Sequence, residues 1–213
     1  MAIRAALAGL ALALGATAAT AHPHVWVTSK TEVVHGWSGR ITALKHTWTF
    51  DEGFSSFAVQ GLDANKDGKY SREELQALAE VNVTSLNEYG FFTVLKSQNK
   101  RVAFEEPKEY WLDYKDGRLE LHFTLPLKAP IEGGADAVSI EIYDPTYFVA
   151  FSLDKDAPVT LAGARSGCKA EAQRPADEAD TQTASLSESF FRTLNASSSF
   201  GAQFANRITI NCH

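Results

Sequence analysis

HVWVTSKTEVVHGWSGRITALKHTWTF, His24 to Phe50, holds two strand-length runs rich in β-branched and aromatic residues, parted by turn residues between Gly36 and Gly39. Residues two apart share a face of a strand, so Leu44, His46, Trp48 and Phe50 lie together in the second run. Two adjacent strands this early point to a sheet that later segments must complete. FFTVLKS, RVAFEE, KEYWLDY, RLELHFTLPL, AVSIEIY and TYFVAFSL are further strand candidates, with turns at SQNK, DYKDG and DP. RLELHFTLPL alternates cleanly, Leu119, Leu121, Phe123 and Leu125 against Glu120, His122 and Thr124. The density of short strands predicts an α+β fold: an antiparallel β-sandwich or partly open barrel carrying one helical insert.

That insert, over about 51–82, centres on DANKDGKYSREE, Asp63 to Glu74, which matches the calcium loop of an EF-hand. A hard divalent cation takes oxygen donors. Asp63, Asn65, Asp67 and Glu74 fill loop positions 1, 3, 5 and 12, the Lys69 carbonyl position 7, and Ser71 position 9, through a water. Gly68 occupies the sixth position, where the tight turn needs positive φ. Phe54, Phe57 and Ala58 before the loop, and Leu75, Leu78 and Ala79 after it, recur at helical spacing. Ser71 and Glu74 also have capping-box spacing, a second demand on the Glu74 carboxylate. The sequence repeats no second loop of this kind, and Lys66 and Lys69 offset part of its charge, which suits a structural calcium site better than a paired sensor.

The segment 1–21 has the order of a secretory signal: Arg4, an apolar stretch, then small residues ending at Ala21. Its apolar core is too short to span a membrane, and nothing later replaces it. The address expected is periplasmic. In an oxidising compartment, Cys168 and Cys212 are expected to form one disulfide, with about 4 kcal/mol of loop-closure stabilisation in the chain-entropy account. Cleavage after Ala21 removes one basic and no acidic residue from a chain already at formal charge −6. An acidic chain without basic clusters is a poor partner for nucleic acid or an anionic membrane.

Cleavage would also put His22 at the new terminus, with His24 two residues on. A terminal amine and imidazoles suit nickel, cobalt, copper or zinc; Pro23, lacking an amide hydrogen, blocks the square-planar arrangement that uses successive backbone amides. His46 is a further candidate ligand, with a partly buried, hydrogen-bonded histidine as the plainer reading, and His122 reads as solvated. Asp144, followed by Pro145, reads as a turn cap. No nucleophile elbow or phosphate-binding glycine loop is present, so no enzyme is expected. The strand-rich domain is placed at 22–153, a polar loop or flexible segment at 154–182, and a C-terminal helix with an extended tail belonging to the same domain at 183–213.

HPHVWV from His22, WTFDEGFSSF, LDANKDGKYSREEL, NEYGFF, LELHFTLPL and YDPTYFVAF occur in that order through the chain. In these segments the sequence resembles an uncharacterised bacterial periplasmic family labelled as a periplasmic component of an ABC-type transport system, often associated with nickel or cobalt exporter genes. The resemblance implies an accessory role in transition-metal handling beside an inner-membrane metal transporter. The alternative is a calcium-stabilised interaction or scaffold module whose histidines bind nothing.

Overall fold

A computed structural model describes residues 22–133, 138–175, 183 and 186–212; the signal segment read over 1–21 and His213 lie outside them. The opening strands form as the alternation requires. β1 (Val25–His35) and β2 (Ile41–Phe50) pair antiparallel from Val27↔Phe50 to His35↔Ile41. Leu44, His46, Trp48 and Phe50 all face inward. β5 (Tyr110–Lys115) and β6 (Arg118–Ile131) extend this sheet beyond β2, with Leu119, Leu121, Phe123, Leu125 and Leu127 buried. On the other side of β1 lie two short strands laid end to end, β8 (Val149–Leu153) and β9 (Val159–Ala162).

The second sheet has the order β10 (Cys168–Gln173), β11 (Asn206–Cys212), β7 (Val138–Ile142), β3 (Thr93–Ser97) and β4 (Lys100–Arg101). Leu95, Ile140, Ile142, Ile208 and Ile210 from its inner face share one continuous core with Val27, Leu44, Trp48 and Leu121 of the first sheet. The architecture is therefore two packed sheets and not a closed barrel. Between them, the buried His46 ring lies 3.1 Å from the Thr31 hydroxyl on β1 and 3.4 Å from that of Thr93 on β3, tying sheet to sheet.

The helical insert packs against the inner face of the first sheet, Leu75, Ala79 and Val83 joining the same core as Trp48, Phe50 and Leu121. α1 (Glu52–Ala58) is capped by Asp51, which accepts from the Phe54 amide, and the buried Ser55 hydroxyl accepts from the Leu119 amide of β6. α2 (Arg72–Glu88) buries Leu75, Ala79 and Val83, while Arg72 makes a bidentate pair with Asp113 and lies over the Trp111 ring.

Three expectations are corrected. The sheets are not wholly antiparallel, because the chain passes through the second sheet before returning, so that β8 and β9 run parallel to β1. The stretch read as a polar loop, 154–182, contains β9 and β10. β10 is legible only through its partner: it pairs with β11 over Cys168↔Cys212 to Gln173↔Arg207, and the expected Cys168–Cys212 disulfide closes that register. FFTVLKS becomes a strand only from Thr93, since Gly90, Phe91 and Phe92 all take positive φ as the chain turns off the end of α2. Among the described residues, no helix is long and apolar enough to cross a membrane.

Candidate metal centre

The N-terminal entry to β1 is pinned where His24 and Val25 donate their amides to the Phe148 carbonyl. Asp144 fixes the turn leading to Phe148 by accepting from the amides of Thr146 and Val149 and from the Thr146 hydroxyl, the turn-capping role read from YDPTYF. The C-terminal region closes over this corner. α3 (Glu188–Phe191) starts at Ser187, whose hydroxyl accepts from the Phe190 amide. A satellite apolar cluster of Tyr147, Phe191 and Phe204, joined by Phe190, Leu194 and Phe200, holds the helix down. At Gly201 a Cβ atom would stand 1.7 Å from the Asp144 carbonyl oxygen, so glycine alone permits this contact.

This packing brings His22, His24 and Glu188 together. Among the described residues they are the one set of three histidine, cysteine or acidic side chains whose ligand atoms all lie within 4.8 Å of one another. The His22 and His24 ring centroids are 4.6 Å apart, and His22 stacks on Phe191 at 3.9 Å with the rings 5° from parallel. The His22 side chain is 8% exposed, yet its Nδ1 makes no hydrogen bond; Glu188 Oε2 stands 3.4 Å away. Two donors about 2.0–2.1 Å from a tetrahedral ion are roughly 3.4 Å apart, so this spacing already fits an edge of such a site. Burial lowers the His22 pKa, His24 lowers it further, and Glu188 pulls it back. A histidine so biased toward its neutral form keeps a lone pair for a metal.

His46, the third histidine considered as a ligand, is not brought to this group. It lies in the sandwich core against Trp48 and Phe123, and burial pushes its pKa down to about 3. Glu188 takes the third place instead. Its sequence signal was only that of an acidic residue in a helix's first turn, behind Ser187. His122, read as solvated, packs flat on Trp111 at 4.8 Å, and burial lowers its pKa too.

The loop 63–74 lies apart from this group, between α1 and α2. Asp63 accepts from the amides of Asp67 and Gly68, Asn65 from Asp67, and Asp67 from Lys69. Glu74 accepts from Ala64 and Asn65 through Oε1 and from Ser71 through Oε2, drawing the ends of the loop together; these bonds, the Ser71 amide foremost, hold its pKa down. Ser71 and Glu74 form the expected capping box. Lys69 is positioned by its amide bond to Asp67, with Gly68 at φ 77° beside it.

Fold and site together define a two-sheet sandwich with a candidate histidine–carboxylate centre at one corner. The chain belongs to the family described as Protein of unknown function (DUF1007), which matches residues 7–212. It is 26% identical over 208 residues to an uncharacterized protein of Haemophilus influenzae, covering 97% of each chain. It is also 28% identical over 103 residues to an uncharacterized 15.5 kDa protein from the trpE 3′ region of Spirochaeta aurantia, covering 48% of this chain and 73% of that one.

Proposed function

We propose that this protein is a periplasmic accessory protein of transition-metal transport: it binds nickel, cobalt, copper or zinc through His22, His24 and Glu188 and carries calcium in the loop 63–74 as a structural ion. The observation that carries the reading is the His22 Nδ1, closed to solvent and 3.4 Å from the Glu188 carboxylate, with a second imidazole within reach. A histidine nitrogen closed to solvent and held beside a carboxylate and a second imidazole is placed as a metal ligand would be. Cleavage after Ala21 would add the terminal amine of His22 as a further donor. The disulfide agrees with an oxidising compartment. The resemblance to proteins labelled as transport components and associated with nickel or cobalt exporters suggests an inner-membrane metal transporter as the partner. For calcium, the supporting observation is that Asp63, Asn65, Asp67 and Glu74 all turn their oxygens onto the loop's own backbone amides, closing it into a ring.

Native mass spectrometry of protein beginning at His22, titrated with calcium and then with nickel, cobalt, copper or zinc, tests both ions. One calcium and one transition ion are expected. Asp63→Ala with Glu74→Gln should remove the calcium alone, and His22→Ala with His24→Ala the transition ion alone. No second ion, or one that survives the double histidine change, would leave His22 a packing element and the protein a calcium-held interaction module.

A further inference from the structure

The candidate centre lines the first of two adjoining cavities of different character. One, of about 460 Å³, carries His22, His24, Glu188 and Arg192 on its wall. The other, of about 180 Å³, runs between α2 and the first sheet among Trp48, Phe50, Phe54 and Leu86. Tyr89, Phe92, Phe148 and Val149 belong to both walls, so the two adjoin at four shared residues. An isolated ion has no use for the second space.

We propose, building on the transition-metal reading above, that the ion binds as a complex with a small chelator carrying one aromatic ring and a carboxylate, the ring entering the apolar cavity while the ion sits at His22, His24 and Glu188. The size of the cavity selects the ring. Apolar cavities of about 150 Å³ take up benzene, whereas drug-sized ligands need about 300–1,000 Å³. His22, His24, Glu188 and the terminal amine of cleaved protein leave a six-coordinate nickel ion two open positions, enough for a bidentate chelator. The charge of the site selects the carboxylate: a divalent ion with two neutral imidazoles and one carboxylate keeps a positive charge. Arg192, whose Nε is 3.5 Å from Glu188 Oε1, adds another at the mouth. The half-exposed Phe148 ring, 4.7 Å from that of His24, stands where the two cavities meet.

Pyridine-2-carboxylate and glycine offer nickel the same nitrogen–oxygen donor pair and the same charge, and only the first has a ring. Isothermal titration of protein beginning at His22 with bare nickel, nickel pyridine-2-carboxylate and nickel glycinate therefore isolates the ring. The pyridine complex is expected to bind about 10-fold more tightly than the glycinate, the scale set by burying one ring face. Filling the apolar cavity with Leu86→Trp, or from the exposed side of α2 with Ser85→Phe, should erase that preference and leave bare-nickel affinity unchanged. Equal affinity for the two complexes, or a ring preference that survives both filled variants, overturns the chelate while bare-nickel binding upholds the ion site. Failure of bare nickel to bind overturns the ion site and the chelate together.

Discussion

At the N-terminal end of α2, the loop 63–74 draws every candidate donor from twelve consecutive residues. Beyond its C-terminal end, where Tyr89 lines the pocket, the His22–His24–Glu188 group is assembled from the first and last described parts of the chain. The loop is held by local bonds from its own amides to its own carboxylates. The histidine group is held by tertiary packing: the amide bonds to the Phe148 carbonyl, the Phe191 stack and the aromatic cluster under α3. A locally built site should tolerate damage elsewhere in the fold, whereas a tertiary one should fail when a remote contact is forced apart.

Gly201→Ala forces such a contact. The new methyl would collide with the Asp144 carbonyl oxygen, pushing the turn at 200–204 off the strand end and loosening the cluster beneath Phe191. Overpacking of this kind costs about 1–3 kcal/mol, and a backbone collision belongs at the upper end. The expected result is a melting temperature lower by several degrees and loss of the transition ion, with calcium stoichiometry unchanged by native mass spectrometry. A variant that loses both ions, or neither, would break the distinction between the two sites.

Glu188→Gln probes the same contrast at a single donor. Removing the carboxylate leaves the fold intact, since Glu188 is 43% exposed and its salt bridge to Arg192 lies on the surface. Transition-ion affinity should fall by at least about 10–100-fold, the range seen when groups that merely orient a ligand are removed. Calcium affinity should not move. Retained affinity would show that His22 and His24 act without this carboxylate and that the third donor lies elsewhere.

The difference between the two sites also explains what was legible in the sequence. The alternation in β2 and β6 gives the inward face because a strand's periodicity is a local property, and the loop 63–74 is readable because its donors are consecutive. β10 is not readable: Lys169, Glu171 and Gln173 face solvent, and the strand exists because β11 and the Cys168–Cys212 bond supply its register. His22 and His24 were visible as histidines two residues apart. Glu188 was not, because nothing local connects it to a segment at the other end of the chain. His46 misleads for the opposite reason, since a histidine on an apolar strand face reads alike whether it binds a metal or, as here, bonds to Thr31 and Thr93 in a core.

Ser71→Ala tests whether α2 carries anything between its ends. The Ser71 hydroxyl accepts from the Glu74 amide, and losing such a cap costs about 1 kcal/mol. Glu74 would keep its bond from the Ser71 amide, so a small drop in calcium affinity is expected rather than its loss. At the other end, about 25 Å away for a helix of 17 residues, nickel affinity should stay within about twofold. Burial of Leu75, Ala79 and Val83 and the paired Arg72–Asp113 bonds fix the helix along its length, so a frayed first turn has no means of moving Tyr89. A nickel affinity that falls in step with calcium affinity would mean that α2 shifts as a rigid rod, and the two sites would then be one linked system.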